Sequence, residues 1–591
     1  MRRVLGWMVA GLFAAVVSEA AFVPVPLGDG ANASLMDEVA EDQKGGFIDQ
    51  GPNDLHLLPS GLQTINGIPF KLGSSHSTDE KACIVLGGPK RPYLGRKATV
   101  SLAHPERGDF LYLFHGVTMV SATEKDKNPI IGTVVLTYKS GKTLQKHVRL
   151  GRDVGDWTSP KSYRNAVRSW TIYNKVSQVS LFLTGIPIEQ GQEVASVSLE
   201  EGAGTWIVAG MTIGDKRTLR PILPDLTLER KFDAPPKFNQ PLPVYPAGSR
   251  PKNVILVLGD GMGQGALDLA DLYLRKDQKS DGLVINQMPF SGYCTTFSAT
   301  ADVTDSAASG TAFATGHKTY NTAIALDLEK KPLDSIATIA HKAGLSVGIM
   351  TDDPLFGATP AVFYAHAATR GDTAKIMLDA SQSDFEILLG YASKNWLLPK
   401  EQGGWRKDGK ELLSGMLARG FTLVEDVDAF LQAPKDKRVI GLMKDQSMAA
   451  EGCYAPLATT AIERLSQNQK GFFLMFESCD PDHGNHANSP EKSIYGTVKA
   501  DWAAWAAISY SLAHDGDTLV LVTADHDTGG VRAIRSPATG KVTPFFEATS
   551  HTSSPVTTHA FGRGAERFEG RIDNTDIPRI FAECLGLELA Q

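Results

Sequence analysis

Residues 254–263 read V-I-L-V-L-G-D-G-M-G, an unbroken apolar run that ends on a glycine-flanked acid, Asp260. A run without alternation suits a strand covered on both faces, as in parallel sheets. Glycines beside an acid let the backbone turn tightly against a bound group. Alone, the same pattern also suits a strand-to-helix turn capped by aspartate. The motif does not stand alone. Residues 347–350, 471–476 and 518–523 form further short apolar runs, and 333–343 has helical spacing that Gly344 can close. Ser489-Pro490 offers an N-cap and a first-turn proline for a helix through Trp502 and Trp505. Strands alternating with helices predict an α/β fold over 251–591, with a mostly parallel central sheet flanked by helices. In such folds ligands bind beyond the carboxyl ends of the strands. Asp260, Thr359, Glu477 and Asp525 each follow one of these runs.

The chain has 591 residues, too many for one ordinary core. Residues 22–215 have another texture, with short β-rich runs at 110–117, 129–138, 143–150, 179–186 and 205–213, broken by turn residues. That spacing predicts an all-β sandwich. Residues 216–250 are rich in proline and read as an extended, fairly stiff linker.

Arg2 and Arg3 precede an apolar run over 4–17, and Ser18-Glu19-Ala20 offers small residues for cleavage. Residues 1–21 therefore read as a secretory signal, and the chain as periplasmic or secreted. The competing reading is a membrane anchor, for which the run is short. No later stretch is long and apolar enough to span a bilayer. Hydrophobic content of 42% and charge of 21% are those of a soluble globular protein. A net charge of -7 argues against nucleic acid as a partner. An odd count of five cysteines leaves at least one thiol unpaired within the chain.

Residue chemistry gathers in a few segments. Thr304-Asp305-Ser306-Ala307-Ala308 places a serine where a helix begins, beside free backbone N–H groups that favour an anion. Glu477, Asp482, His483 and His486 follow the run 472–476, and carboxylates with imidazoles suit zinc. Asp525-His526 ends another strand, and His551 lies in a polar loop. Arg370, beyond Thr359, offers a cationic fork shaped for phosphoryl oxygens. Two metals can hold the attacking and leaving oxygens of an in-line phosphoryl displacement. For each segment taken singly, a capping or turn role competes.

Taken together, residues 254–587 resemble the alkaline phosphatase family. The resemblance rests on V-I-L-V-L-G-D-G-M-G, T-D-S-A-A-S-G-T-A, G-A-T-P-A-V-F-Y-A-H-A-A-T-R, E-S-C-D-P-D-H-G-N-H, T-A-D-H-D-T-G-G and the H-T at His551. It implies Ser306 as a nucleophile that passes through phosphoserine. It implies one zinc on Asp482, His486 and His551, a second zinc on Asp260, Asp525 and His526, and magnesium on Asp260, Thr359 and Glu477. Arg370 would clamp the phosphoryl oxygens, with His483 beside the phosphate. Gly357 departs from the pattern, standing where an Asp or His is expected near the magnesium, and Ser553 replaces the usual glycine after His551-Thr552.

Residues 22–215 resemble the galactose-binding-type sandwiches appended to secreted enzymes. Tyr112, Trp157, Trp170 and Trp206 suit a sugar platform or, for most of them, a core. The leading expectation is a phosphate monoester hydrolase. The alternatives are a phosphodiesterase or sulfatase on the same scaffold, or a glycan-binding protein with a degenerate phosphatase domain. A Cys/Ser-x-Pro-x-Arg sulfatase motif is lacking. Oligomeric state stays open, a homodimer included.

Overall fold

The computed structural model describes residues 22–589, apart from 44–45, 52, 75–76, 90, 121–127, 160–161, 175, 177, 220–227, 229, 278–279, 445–447, 449 and 536–541. The expected signal segment, 1–21, lies outside the described residues. The chain divides into two compact units, 1–223 and 224–591.

The first unit is built from antiparallel strands. One sheet runs in the order Phe22–Val25, Thr205–Gly214, Phe110–Thr118, Gln178–Pro187, Ala166–Tyr173, with Ile84–Leu86 also paired to Thr205–Gly214. The other runs Lys97–Glu106, Val194–Glu201, Ile130–Tyr138, Thr143–Arg149. Alternate residues of a strand face opposite ways. Leu111 and Leu113 accordingly enter one apolar cluster with Val134, Leu136 and Val197 of the second sheet, while Tyr112 and Phe114 enter another with Phe47, Phe70 and Leu181. Both faces of the larger sheet are therefore covered. Tyr112 and Trp157 belong to one core cluster and Trp206 to the other, and Trp170 is half-buried against the first. Burial takes Tyr112, Trp157 and Trp206 out of any sugar platform. Trp206 Nε1 donates to His115 Nδ1 at 3.0 Å, which satisfies a polar group that could not otherwise be buried cheaply.

In the second unit, ten strands form one sheet. The order is Phe421–Val424, Arg438–Met443, Ile387–Tyr391, Ser346–Pro354, Phe472–Ser478, Asn253–Gly259, Thr518–Thr523, Val556–Phe561, Phe290–Thr295, Gly570–Asp573. Pairing is parallel throughout except on both sides of Val556–Phe561. The central strands Asn253–Gly259, Phe472–Ser478 and Thr518–Thr523 are buried at every residue, as unbroken apolar runs require. Helix Pro490–Ala513 starts where expected, with the Ser489 side chain accepting from Lys492 N. The helix expected over 333–343 is shorter, Ile336–Lys342, because Ser335 caps it by accepting from Thr338 N. Among the described residues no helix is long and apolar enough to cross a membrane. All five cysteines are free.

The proline-rich stretch differs from a plain linker. Phe232 and Leu242 are buried in the second unit's core, and Lys237 Nζ donates to Leu283 O. Proline marks backbone that cannot donate to a ladder, but it does not say whether that backbone is packed.

Candidate metal centre

Four strands deliver the expected residues to one edge of the sheet. Asp260 follows Asn253–Gly259 directly, and its N–H donates to Ser478 O of the neighbouring strand at 2.9 Å. The turn needs Gly261, whose φ is +62° and where an added Cβ would meet Asp482 Oδ1 and Thr528 Oγ1, each at 2.7 Å. Gly261 N donates to Asp525 Oδ1 at 3.1 Å, and Asn485 Nδ2 donates to Gly261 O at 3.1 Å. One bend thus ties two strand ends to helix Asp480–His486, which carries Asp482, His483 and His486. His551 arrives by a short antiparallel pair, Asp527–Thr528 with His551–Thr552, in which Thr528 faces His551. No sequence spacing announces that pairing.

Ser306 begins the buried helix Ser306–Thr315, behind an Asp305 cap that accepts from Ala308 N at 3.0 Å. Its small residues let the helix lie close to the strand ends. Ser309 Oγ donates to Asp525 O at 2.6 Å, and Asn574 Nδ2 donates to Ser309 at 2.9 Å. Ser306 Oγ stands 3.2 Å from His526 Nε2.

Donor atoms of Asp260, Asp525 and His526 lie within 4.8 Å of one another, as do those of Asp482, His526 and His551. His486 joins the second group, with Nε2 3.3 Å from Asp482 Oδ2 and 3.2 Å from His551 Nε2. Hydrogen bonds fix the ring tautomers. A carbonyl can only accept, so His486 Nδ1 donates to Thr549 O at 2.8 Å and His551 Nδ1 donates to Thr304 O at 2.9 Å. In the neutral rings, Nε2 is left as a lone pair in both. His526 follows the same logic through Thr528. The Thr528 hydroxyl donates to Asp482 Oδ1 at 2.5 Å, so it accepts from His526 Nδ1 at 3.1 Å. His526 Nε2 then faces Asp525 Oδ2 at 3.2 Å and Asp260 Oδ1 at 3.5 Å with no proton of its own.

Acceptors facing acceptors in a buried place need a cation. Asp260 Oδ1, Asp525 Oδ2 and Glu477 Oε1 are buried side-chain oxygens without a hydrogen-bond partner. Burial, then the charges of Asp525, Asp482, Glu477 and Asp353, press the Asp260 carboxyl well above the usual carboxylate range. Burial, then Asp353, does the same to Glu477. Burial holds His526 below the ordinary imidazole value, which keeps it a ligand rather than a cation. The donor set of carboxylate oxygens and neutral imidazoles fits zinc, and the oxygen-only corner at Glu477 fits magnesium.

The remaining expected residues border this group. Glu477 Oε2 accepts from Thr351 Oγ1 at 2.5 Å, and the Thr359 hydroxyl also faces that carboxylate. Arg370 NH1 is 3.5 Å from Asp305 Oδ2, and the side chain remains 39% exposed, so its fork can reach a ligand. His483 is exposed, grouped with Asp353 and Cys479 rather than with the zinc-type ligands. Sequence reasoning missed Thr528, Asp353 and Thr351. Thr528 stood in the quoted T-A-D-H-D-T-G-G; the other two gave no signal of their own.

A sequence profile described as Alkaline phosphatase matches residues 251–547. The chain belongs to the alkaline phosphatase family. The alkaline phosphatase of Escherichia fergusonii is 30% identical over 413 residues, covering 57% of this chain and 86% of that one. That of Escherichia coli K12 is 29% identical over the same length and coverage. The solved alkaline phosphatase of the Antarctic bacterium TAB5 is 29% identical, with a TM-score of 0.50 over 57% of this chain and 99% of its own. A mutant of that enzyme was solved with Mg bound in the M3 site. The alkaline phosphatase match lies within the second unit and leaves the antiparallel first unit outside it.

Proposed function

We propose that the chain is a metal-dependent phosphate monoester hydrolase that acts through phosphoserine at Ser306. The observation that carries this is the position of Ser306 Oγ, at a helix N-terminus and 3.2 Å from the imidazole shared by both ligand groups. Asp482, His486 and His551 would hold one zinc, Asp260, Asp525 and His526 a second, and Asp260, Thr359 and Glu477 a magnesium. Bound there, the metals would ease ionisation of the serine hydroxyl and of a water and neutralise the phosphoryl charge. Ser306 attacks phosphorus and the alcohol leaves. A water then attacks the phosphoserine, releasing phosphate and restoring the hydroxyl. Arg370 binds two non-bridging oxygens, and first-turn N–H groups of helix Ser306–Thr315 favour the anion.

The segment 1–21, read as a secretory signal, supports a periplasmic or secreted enzyme. The test is hydrolysis of a chromogenic phosphate monoester at neutral and alkaline pH, with chelation and then zinc and magnesium add-back. A diester and a sulfate ester are run beside it. Activity on the monoester that chelation removes and metal restores is expected. Preference for the diester, or no turnover by the fully metallated protein, would overturn the reading.

A further inference from the structure

Gly357 has an ordinary φ of −59°, so its backbone does not call for glycine. Its neighbour does. A Cβ added at 357 would lie 2.4 Å from Asp353 Oδ2 and 2.8 Å from Pro354 O. The Asp353 carboxylate therefore fills the space into which a side chain at 357 would project. Asp353 is held there from its own strand end. Its N–H donates to Thr351 Oγ1 at 2.8 Å, and that hydroxyl donates to Glu477 Oε2 at 2.5 Å. Thr351 also pairs with Glu477 in the parallel ladder. Asp353 is thus tied, through one hydroxyl, to the buried acid whose Oε1 has no partner.

Asp353, Cys479 and His483 bring one donor atom each within 4.8 Å. Cys479 is turned away from a ligand role, because its Sγ donates to Asp352 O at 3.5 Å and lies 3.7 Å from His483 Nδ1. A hard divalent cation takes oxygen in preference to a buried thiol. Asp353 N–H and Glu477 Oε2 share the Thr351 hydroxyl, and Glu477 Oε1 is buried and bare, so a cation held by both acids would satisfy it.

We propose that Asp353 supplies a carboxylate to the third cation beside Glu477 and Thr359, from the space that Gly357 leaves open. This rests on the three-cation reading above. A glycine stands where a side chain would project, and a strand-end aspartate reaches the same place.

The experiment uses the full-length protein, stripped with chelator and reloaded with zinc. Magnesium binding is measured by equilibrium dialysis, with zinc content by elemental analysis and far-UV dichroism as a fold check. Asp353→Ser is expected to weaken magnesium binding by at least about tenfold at unchanged zinc content. Asp353→Glu, which keeps a carboxylate at this strand end, is expected to retain more of it than Asp353→Ser. Wild-type magnesium affinity in folded Asp353→Ser would overturn the assignment, and so would an equal loss in folded Asp353→Glu. Wild-type protein that takes up no magnesium beyond its zinc would instead bring down the three-cation reading, and this proposal with it.

Discussion

His486 Nε2 and His551 Nε2 face each other at 3.2 Å, each ring having its Nδ1 proton committed to a backbone carbonyl. Two lone pairs at that distance repel unless a cation lies between them. Chelation should therefore cost stability as well as activity. We expect EDTA to lower Tm by at least about 5 °C, restored by zinc, since a ligand that binds only the folded chain stabilises it by mass action. His551→Ala should lower zinc content and blunt this shift; an EDTA-insensitive melt of wild-type protein would contradict the site.

Ser306 is buried at the first turn of its helix, while its neighbour Asp305 does the capping. Removing its hydroxyl leaves both the cap and the ligand groups in place. Ser306→Ala should lower kcat by at least about a thousandfold and abolish any phosphorylated species in intact-mass spectra, with zinc content unchanged. Full activity in a metal-replete variant would refute the nucleophile.

Thr528 fixes the His526 tautomer by accepting from Nδ1 while it donates to Asp482. Thr528→Val keeps the shape and removes the relay. Zinc affinity should fall about 10- to 100-fold, as for other partners that orient a metal-binding imidazole. Thr528→Ser should recover it. Equal affinity for the valine and threonine forms, by competition with a chromogenic chelator, would show that the relay is idle.

Arg370 is anchored at its backbone, N–H to Thr322 O at 2.8 Å, and its guanidinium rests loosely on Asp305 at 3.5 Å. Such an arm can pivot to an incoming phosphate. Arg370→Ala should raise the inhibition constant for inorganic phosphate about 10- to 100-fold, the worth of a charge-assisted hydrogen bond pair. KM should respond more than kcat. An unchanged phosphate constant would remove the clamp role.

Much of this centre was legible because strand ends are legible. Val254 to Leu258 and Phe472 to Phe476 are unbroken apolar runs, so Asp260 and Glu477 could be placed at one sheet edge before any contact was known. The first unit's strands were readable as short β-rich runs broken by turn residues, and its aromatics proved to be core because Tyr112 and Trp206 lie on strands buried on both faces. What was illegible depends on tertiary approach. The pairing of Thr528 with His551 crosses a long loop. The nearness of Asp353 to Gly357 reflects how one strand end bends. The proline-rich stretch hid two anchors, Phe232 and Leu242, behind a composition that speaks only of extension.

Lys499 is the least expected support of the site, and it yields a prediction about acid. Its ammonium is buried between Asp352 and Asp480, and Asp352 also accepts from Tyr454 and from Cys479 N at 2.6 Å. Those bonds hold Cys479 and Asp480, midway between Glu477 and Asp482. Burial works against the Asp352 charge, yet Lys499, with the Tyr454 hydroxyl and Cys479 N–H, outweighs it and holds the carboxyl below its usual range. A depressed folded-state value means that this stabilisation is present above the ordinary carboxylate range and is lost as pH falls through the folded value. Lys499→Met, which strands the buried Asp352 carboxylate, should cost about 3–5 kcal/mol at neutral pH by urea unfolding. The gap between variant and wild type should narrow as the pH is lowered past the carboxylate range, because protonation removes the charge that the lysine served. A gap that stayed constant or widened in acid would show that Lys499 acts by packing rather than by charge.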